Sequence, residues 1–558
     1  MFSGVFQKSW GMLCAVALLS GMGGKPLYGQ QPGQPEAPPL TIRVSTRLIL
    51  VDVVVTDKKG KPITGLKAED FTLQEKGKNQ KVAFFTPPGE AERQAPPQLG
   101  PGIYTNKPEY RSPGGPVTVL LLDAANTAFK DQAYARRQML QFVKDQYKPG
   151  QRMAVFILTS KLGVLQDFTS DPQLLYNALL KYLPNEQQQN QTSTPPALRN
   201  SDSVRGNSGG ALDLLNQQLQ DFSNIEAGFM LDRRVEITLA AMRSLSRILG
   251  GIPGRKSVIW VTAAFPFSLI PEDRDITQAE QDNSLPYQAQ QSLGTRVAGA
   301  SAETQRTQHG DEIRETAAQL ASAQIAIYPV DARGVVGIGD SDQETMREMA
   351  RETGGKAYID QNEIKQGVVL ALDDYPASYT LGYYPEDKKW DGKYRPIKVK
   401  LDRDGLEVRH RRGYFAIDPS QLKDRKTERE VAEALTDKAP DTQVTFSAQV
   451  KPGDKGKLSV DFLVDPSTVS AQDASDGGKK LDVAFYAAIF SADGKMLGNQ
   501  SMTVNQSFNA DTYKQIQQRG ILIHMDLDPK PGGSELRMGV QDRRTGSVGT
   551  LTAPLSQH

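Results

Sequence analysis

Few side chains in this sequence could carry reactive chemistry. Histidine occurs four times, at His309, His410, His524 and His558, and cysteine once, at Cys14. Cys14 lies in a stretch that reads as a cleaved leader, so the mature chain is expected to hold no thiol. A cysteine zinc site, a disulfide framework and a cysteine nucleophile are then excluded. There is no phosphate-cradling glycine loop, Gly-x-Ser-x-Gly elbow, His-Glu-x-x-His pair or EF-hand loop. The basic run Arg409-His-Arg-Arg412 sits in a strand pattern. A solvated strand face or edge accounts for it better than a polyanion site. Tyr379, Tyr383, Tyr384 and Trp390 are strand aromatics, expected in a core rather than on a carbohydrate platform. No paired carboxylates or activated nucleophile can be placed, so no catalytic residue is expected.

Charge narrows the partners. Against 66 Lys and Arg stand 65 Asp and Glu, a formal net charge of +1. This gives no general attraction to nucleic acid or to an anionic membrane. At roughly 150 residues per domain, 558 residues make about three or four domains. Residues 1–29 carry only Lys8 and Lys25 around an apolar stretch, Gly11 to Ser20. That stretch is too short to span a bilayer, which needs about 20 residues. It predicts a secretory signal, and hence an exported chain that is periplasmic, on the cell surface or secreted. No later apolar run approaches membrane length.

The elements that would position any site follow from periodicity. Residues 30–40 are Pro/Gln-rich and predict a linker. Residues 41–90 hold strand signals, including Leu48 to Val55. Residues 91–116 read as a Pro/Gly-rich connector. Over 115–375, apolar strands alternate with helices: Val117 to Asp123, a helix from Ala133, Met153 to Leu158, a helix capped by Asp171-Pro172, a helix over Arg233 to Leu249, Ser257 to Thr262, and Ile325 to Val330. Alternation of this kind predicts a parallel sheet with helices on both faces. Pro329 favours an edge strand or a strand end. Two polar inserts, 185–224 and 271–310, lack strong periodicity. Strand signals return over 376–417, a charged linker over 418–440, and a C-terminal β-sandwich is expected over 441–556. Neither 41–90 nor 376–417 is long enough for a sandwich of its own. Together they are, so they are expected to pair, with the intervening domain inserted between them.

Gly150 to Thr159, then Gln166-Asp-Phe-Thr-Ser-Asp171, resemble the second and third strands of a von Willebrand factor type A domain. Ile325 to Val330, Met346 to Gly355 and Ala357-Tyr358 resemble its closing strand, helix and strand. From about Thr41 to Ala416 the chain resembles the VWFA-related domain family of exported bacterial proteins. The resemblance implies an α/β fold, a doubly wound, Rossmann-like domain flanked by β-sandwich domains. It also implies a place for a metal-ion-dependent adhesion site, Asp-x-Ser-x-Ser with a Thr and an Asp on two further loops. Here Asp123-Ala-Ala-Asn-Thr127 keeps the Asp and a terminal hydroxyl, and Thr169 matches the second loop. Ala125 and Ala263 replace a Ser and an Asp. The implied metal set is Asp123, Thr127 and Thr169, for Mg2+. The alternative is a degenerate site in which Asp123 caps the strand end by accepting hydrogen bonds from loop amides.

The resulting expectation is an exported, non-enzymatic protein-binding or cell-adhesion module that uses the carboxyl-edge loops of the central sheet. The alternatives are a structural cell-envelope assembly protein and, further off, a hydrolase of envelope polymers.

Overall fold

A computed structural model describes residues 47–89, 99–111, 117–148, 151–184, 211–267, 296–334, 340–359, 361, 363–374, 378–403, 405–421, 427–437, 439–474 and 477–555. The expected signal, the linker 30–40 and most of the two polar inserts lie outside them. The fold is mixed α/β.

The chain opens with strands β1 (Ile49–Asp57), β2 (Phe71–Glu75), β3 (Lys78–Gln80) and β4 (Val82–Thr86). A three-residue strand, β5 (Ile103–Thr105), precedes the central layer. That layer begins with β6 (Val117–Asp123), α1 (Phe129–Asp145), β7 (Met153–Leu158), β8 (Leu162–Thr169) and α2 (Pro172–Lys181). It continues with α3 (Ala211–Leu249), β9 (Lys256–Thr262), α4 (Arg296–Ser322), β10 (Ile325–Asp331), α5 (Asp340–Thr353) and α6 (Ile364–Asp373). The sheet order is β10-β9-β6-β7-β8. Every residue of β6, β7, β9 and β10 is buried, as a strand covered on both faces requires. One face carries Val119, Leu121, Phe156 and Trp260 against α3, α4 and α5. The other carries Leu120, Val155 and Tyr328 against α1, α2 and α6. Helix α1 shows why: Ala135, Met139, Phe142 and Val143 fall on one side at helical spacing and are buried.

β10, β9, β6 and β7 are mutually parallel, but β8 folds back antiparallel on β7. The alternation of strand and helix does not hold there, because only three residues separate β7 from β8 and no crossover helix fits. β10 is an edge strand, which suits Pro329. Two helices extend into the stretches expected to be polar inserts. α3 starts at Ala211 rather than Arg233, and α4 at Arg296. Leu and Gln in the first stretch and Ala in the second favour helix without an apolar stripe to reveal it.

After α6 come β11 (Ser378–Tyr383), β12 (Tyr394–Leu401), β13 (Leu406–His410) and β14 (Gly413–Phe415). These interleave with the first strands. One sheet runs β13-β1-β11-β4 and another β14-β12-β2-β3. Val51 lies opposite Leu381 and Val399 opposite Leu73. The two sheets enclose one apolar cluster of Val51, Val53, Leu73, Tyr379, Leu381 and Val399 among others.

Helix α7 (Thr427–Thr436) is no free linker: Val431 and Ala434 bury against Val548. Beyond it lie β15 (Phe446–Pro452), β16 (Leu458–Val464), β17 (Gln472–Asp473), β18 (Lys479–Ser491), β19 (Met496–Phe508), α8 (Ala510–Arg519), β20 (Ile521–Leu527), β21 (Gly533–Asp542) and β22 (Val548–Pro554). One sheet runs β20-β16-β15-β5, another β17-β18-β21-β22 with β19 also on β18. Both sheets contribute to one core, where Phe462 stands 5.9 Å from Phe446 and 5.6 Å from Phe485. The stretch expected to be a plain connector thus supplies β5 to this sheet. The fully buried Asn106 side chain fixes it, donating to Asp441 O and Val444 O and accepting from Phe446 N.

The layers touch closely. Arg247 of α3 bonds Asp441 at 3.1 Å and Asp437 at 3.2 Å. At Gly251 an added Cβ would lie 1.9 Å from Thr442 O, so only glycine permits this approach.

Candidate functional site

The carboxyl edge of the central sheet is where open α/β sheets bind ligands. β6 ends there at Asp123, which is buried on the same face as Leu121 and its β9 neighbour Trp260. Asp123 Oδ1 accepts the backbone N–H of Asn126 at 2.9 Å. Oδ2 is met at 2.9 Å by Asn126 Nδ2, Trp260 Nε1 and Thr262 Oγ1. Thr262 Oγ1 also lies 2.9 Å from Ala264 O, and its single proton can serve only one acceptor. Burial pushes the Asp123 carboxyl up from its ordinary value. Thr262 thus bridges the Asp123 carboxyl and the Ala264 carbonyl.

The surrounding loop is held just as fully. Asn126 Nδ2 also donates to Thr238 Oγ1 on α3, and its Oδ1 accepts from Arg234. Gln132 Nε2 donates to Ala124 O and Thr127 O, while its Oε1 accepts from Tyr182. Thr127 Oγ1 accepts the N–H of Ala263 at 3.1 Å, tying the loop after β6 to the loop after β9. Ala332 N donates to Thr262 O, tying in the loop after β10. The result is a rigid rim.

Asp123 and Thr127 therefore share this rim, but Thr169 does not. In the β6-β7 register Asp123 faces Leu158, whereas Thr169 faces Met153 across β7-β8. Five residues of strand separate those positions, about 16 Å. The antiparallel turn of β8 carries its end to the amino edge, where Thr169 Oγ1 accepts from Asp171 N. The neighbouring Asp171 caps α2 through Gln173 N. Asp123, Thr127 and Thr169 cannot ligate one ion. Nor does Asp123 suit magnesium, which asks for about six oxygens. Four protein donors or hydroxyls already occupy this carboxyl. Among the described residues no group of three or more His, Cys, Asp or Glu could hold a metal ion.

The basic run is also not a solvated face. Arg409 makes a bidentate pair with Asp374, at 2.7 and 2.8 Å. His410 Nε2 accepts the Val399 N–H, so its proton sits on Nδ1, facing Arg411 O. Burial pushes His410 down and keeps it neutral. Arg411 is buried. Tyr379 and Tyr383 are core residues and Tyr384 is half exposed. Sequence reasoning missed Thr238 and Trp260, because nothing in local spacing reveals a partner more than a hundred residues away.

No protein-family model matches the chain, and no curated protein does. Solved structures with some likeness include an aerotolerance-related membrane protein from Bacteroides fragilis, bearing multiple mutations to serines. It is 11% identical, with TM-score 0.24, over 47% of this chain and 98% of that one. A von Willebrand factor type A protein from Catenulispora acidiphila is 9% identical, with TM-score 0.22, over 91% of this chain and 73% of that one. Three N-terminal domains of the type V pili tip protein Mfa5 from Porphyromonas gingivalis are 9% identical, with TM-score 0.24, over 88% of each. At TM-scores of 0.24 and below, these likenesses carry no argument about this chain. Among the described residues no helix is long and apolar enough to cross a membrane.

Proposed function

We propose that this chain is an exported protein-binding module. A doubly wound von Willebrand factor type A domain, flanked by β-sandwiches, offers its carboxyl-edge rim to a protein partner without a metal and without catalysis. The observation that carries this reading is the sealed Asp123: this buried carboxyl at the ligand-binding edge is spent on holding the rim. A rim laced by side chains from β9, α1 and α3 is pre-organised, which lowers the ordering cost of binding.

The test is affinity capture from an envelope extract on the immobilised chain, with magnesium or with EDTA. The same partner is expected under both conditions, and weaker capture by Lys130→Glu, which reverses an exposed charge beside the rim. Capture that requires magnesium would refute metal-free binding. Concentration-dependent self-association by light scattering, with no partner retained, would move the reading to envelope assembly.

A further inference from the structure

The longest edge strand of the C-terminal sandwich is left open. β19 runs 13 residues and, among the described residues, pairs with β18 alone. Along its far side, alternate residues therefore turn their N–H and C=O groups toward no strand. Such an edge is a template for another strand, and proteins block it with charge, proline, a bulge, a cover or shortness. The other three edges of this sandwich are blocked in these ways. β5 has three residues. β20 carries His524 and Asp526. β22 is covered by residues 441–444, where Asp441 O accepts from Thr550 N and Val444 N donates to Val548 O, and it ends in Pro554. β19 holds no Asp, Glu, Lys, Arg, His or Pro, and its bulge against β18 lies only at the Met496 end.

The strand also fits itself. About a two-fold axis at Met502, an antiparallel second copy places Met502 on Met502, Ser501 opposite Thr503 and Asn499 opposite Asn505. No position sets like charges face to face, and Ser–Thr pairs are of the hydrogen-bonding kind that stabilises antiparallel strands. A charged strand would find no counter-charge here, whereas a second copy brings no charge. Met502 lies opposite the fully buried Phe485 and so shares the core face, yet it is 36% exposed. The core is uncovered at this edge, and a second Met502 would cover it.

We propose that β19 is a dimer interface: two copies of this chain join their β19 edges antiparallel about Met502 into one continuous sheet. Pairing along the whole strand gives about a dozen interchain hydrogen bonds. The contact is narrow, so the dimer is weak and reversible. It does not depend on the partner-binding reading of the rim.

The experiment is sedimentation equilibrium of the full chain from micromolar to millimolar concentration, with disulfide trapping as a second measurement. Wild type should follow a monomer–dimer equilibrium. Met502→Lys sets two ammonium groups face to face at the axis and should weaken the dimer by about tenfold or more. For trapping, Cys14→Ser first removes the one native thiol. Met502→Cys in that background should give a disulfide-linked dimer with copper–phenanthroline as oxidant, because directly opposed residues lie about 4.5–5.5 Å apart at Cα. Asn499→Cys should not, since the two introduced thiols would lie about 20 Å apart. A wild-type chain that stays monomeric throughout, a dimer undiminished in Met502→Lys, or Asn499→Cys cross-linking as fast as Met502→Cys would overturn the proposal. Should Met502→Lys not fold, the trapping decides: absence of a Met502→Cys dimer also overturns it.

Discussion

The two edges of the central sheet solve the burial of charge in opposite ways. At the carboxyl edge the buried acid Asp123 is surrounded by neutral donors and hydroxyls, and both its oxygens are bonded. At the amino edge three cations, Arg255, Lys256 and Arg411, make bonds to carbonyls or a phenol, and the Nε atoms of the two arginines have no hydrogen-bond partner. The difference teaches that a carboxylate at the customary ligand-binding edge need not be a ligand.

The comparison can be broken most directly at Asp123. Asp123→Ala strands Trp260 Nε1–H, the Asn126 N–H and the Thr262 hydroxyl, and should cost about 3–5 kcal/mol in urea unfolding. Magnesium should shift the midpoint of neither form; a magnesium-dependent gain seen in wild type alone would restore the metal site.

Lys256 tests the other edge. Burial lowers its pKa from 10.5 to about 8, and each unit is worth about 1.4 kcal/mol. The folded state binds its proton less tightly than the unfolded one, so the penalty is full below pH 8, shrinks as pH rises, and is gone above 10.5. Lys256→Met should therefore stabilise by about 2 kcal/mol at pH 7, after loss of the bond to Ile252 O, with the gain vanishing towards pH 10.5. A gain independent of pH would show that packing, not charge, is responsible.

Thr127→Val should cost about 1–2 kcal/mol, because the Ala263 N–H loses its acceptor. Hydrogen exchange at Ala263 should quicken; unchanged exchange would mean the loops are not tied there. Thr169→Ala should cost about 0.5 kcal/mol at most, by losing a local turn bond, and leave the rim's exchange rates untouched. A change at the rim would contradict the strand register that separates it from Asp123.

The central strands were legible because continuous apolar runs such as Val117 to Leu122 and Val258 to Val261 announce burial on both faces. Asp171-Pro172 announced its helix through an N-cap and a fixed φ. The direction of β8 was not legible. A strand's pattern is the same read either way, and only the brevity of the Thr159–Lys161 turn distinguishes a hairpin from a crossover. Thr169 was misplaced for that reason. Of the candidate metal set, Asp123 and Thr127 lie on one rim, and capping of the strand end by loop amides was among the readings weighed. The seal by Trp260 and Thr262 depends on strand order. Arg411 looked solvated because arginine is seldom buried. Its burial follows from the close packing of the Gly354-Gly355 turn against it, where an added Cβ on Gly354 would come within 2.8 Å of Arg411 N.

The short strand at Ile103–Thr105 has a consequence for how the molecule is made. It is seated on Phe446–Pro452, as Ile49–Asp57 is seated on Ser378–Tyr383. A chain emerging from its amino end exposes these unpaired edges long before their complements arrive, when they are open to self-association. Biogenesis therefore favours either rapid emergence or a holding factor. Shortening the chain from its carboxyl end would harm layers far earlier in the sequence.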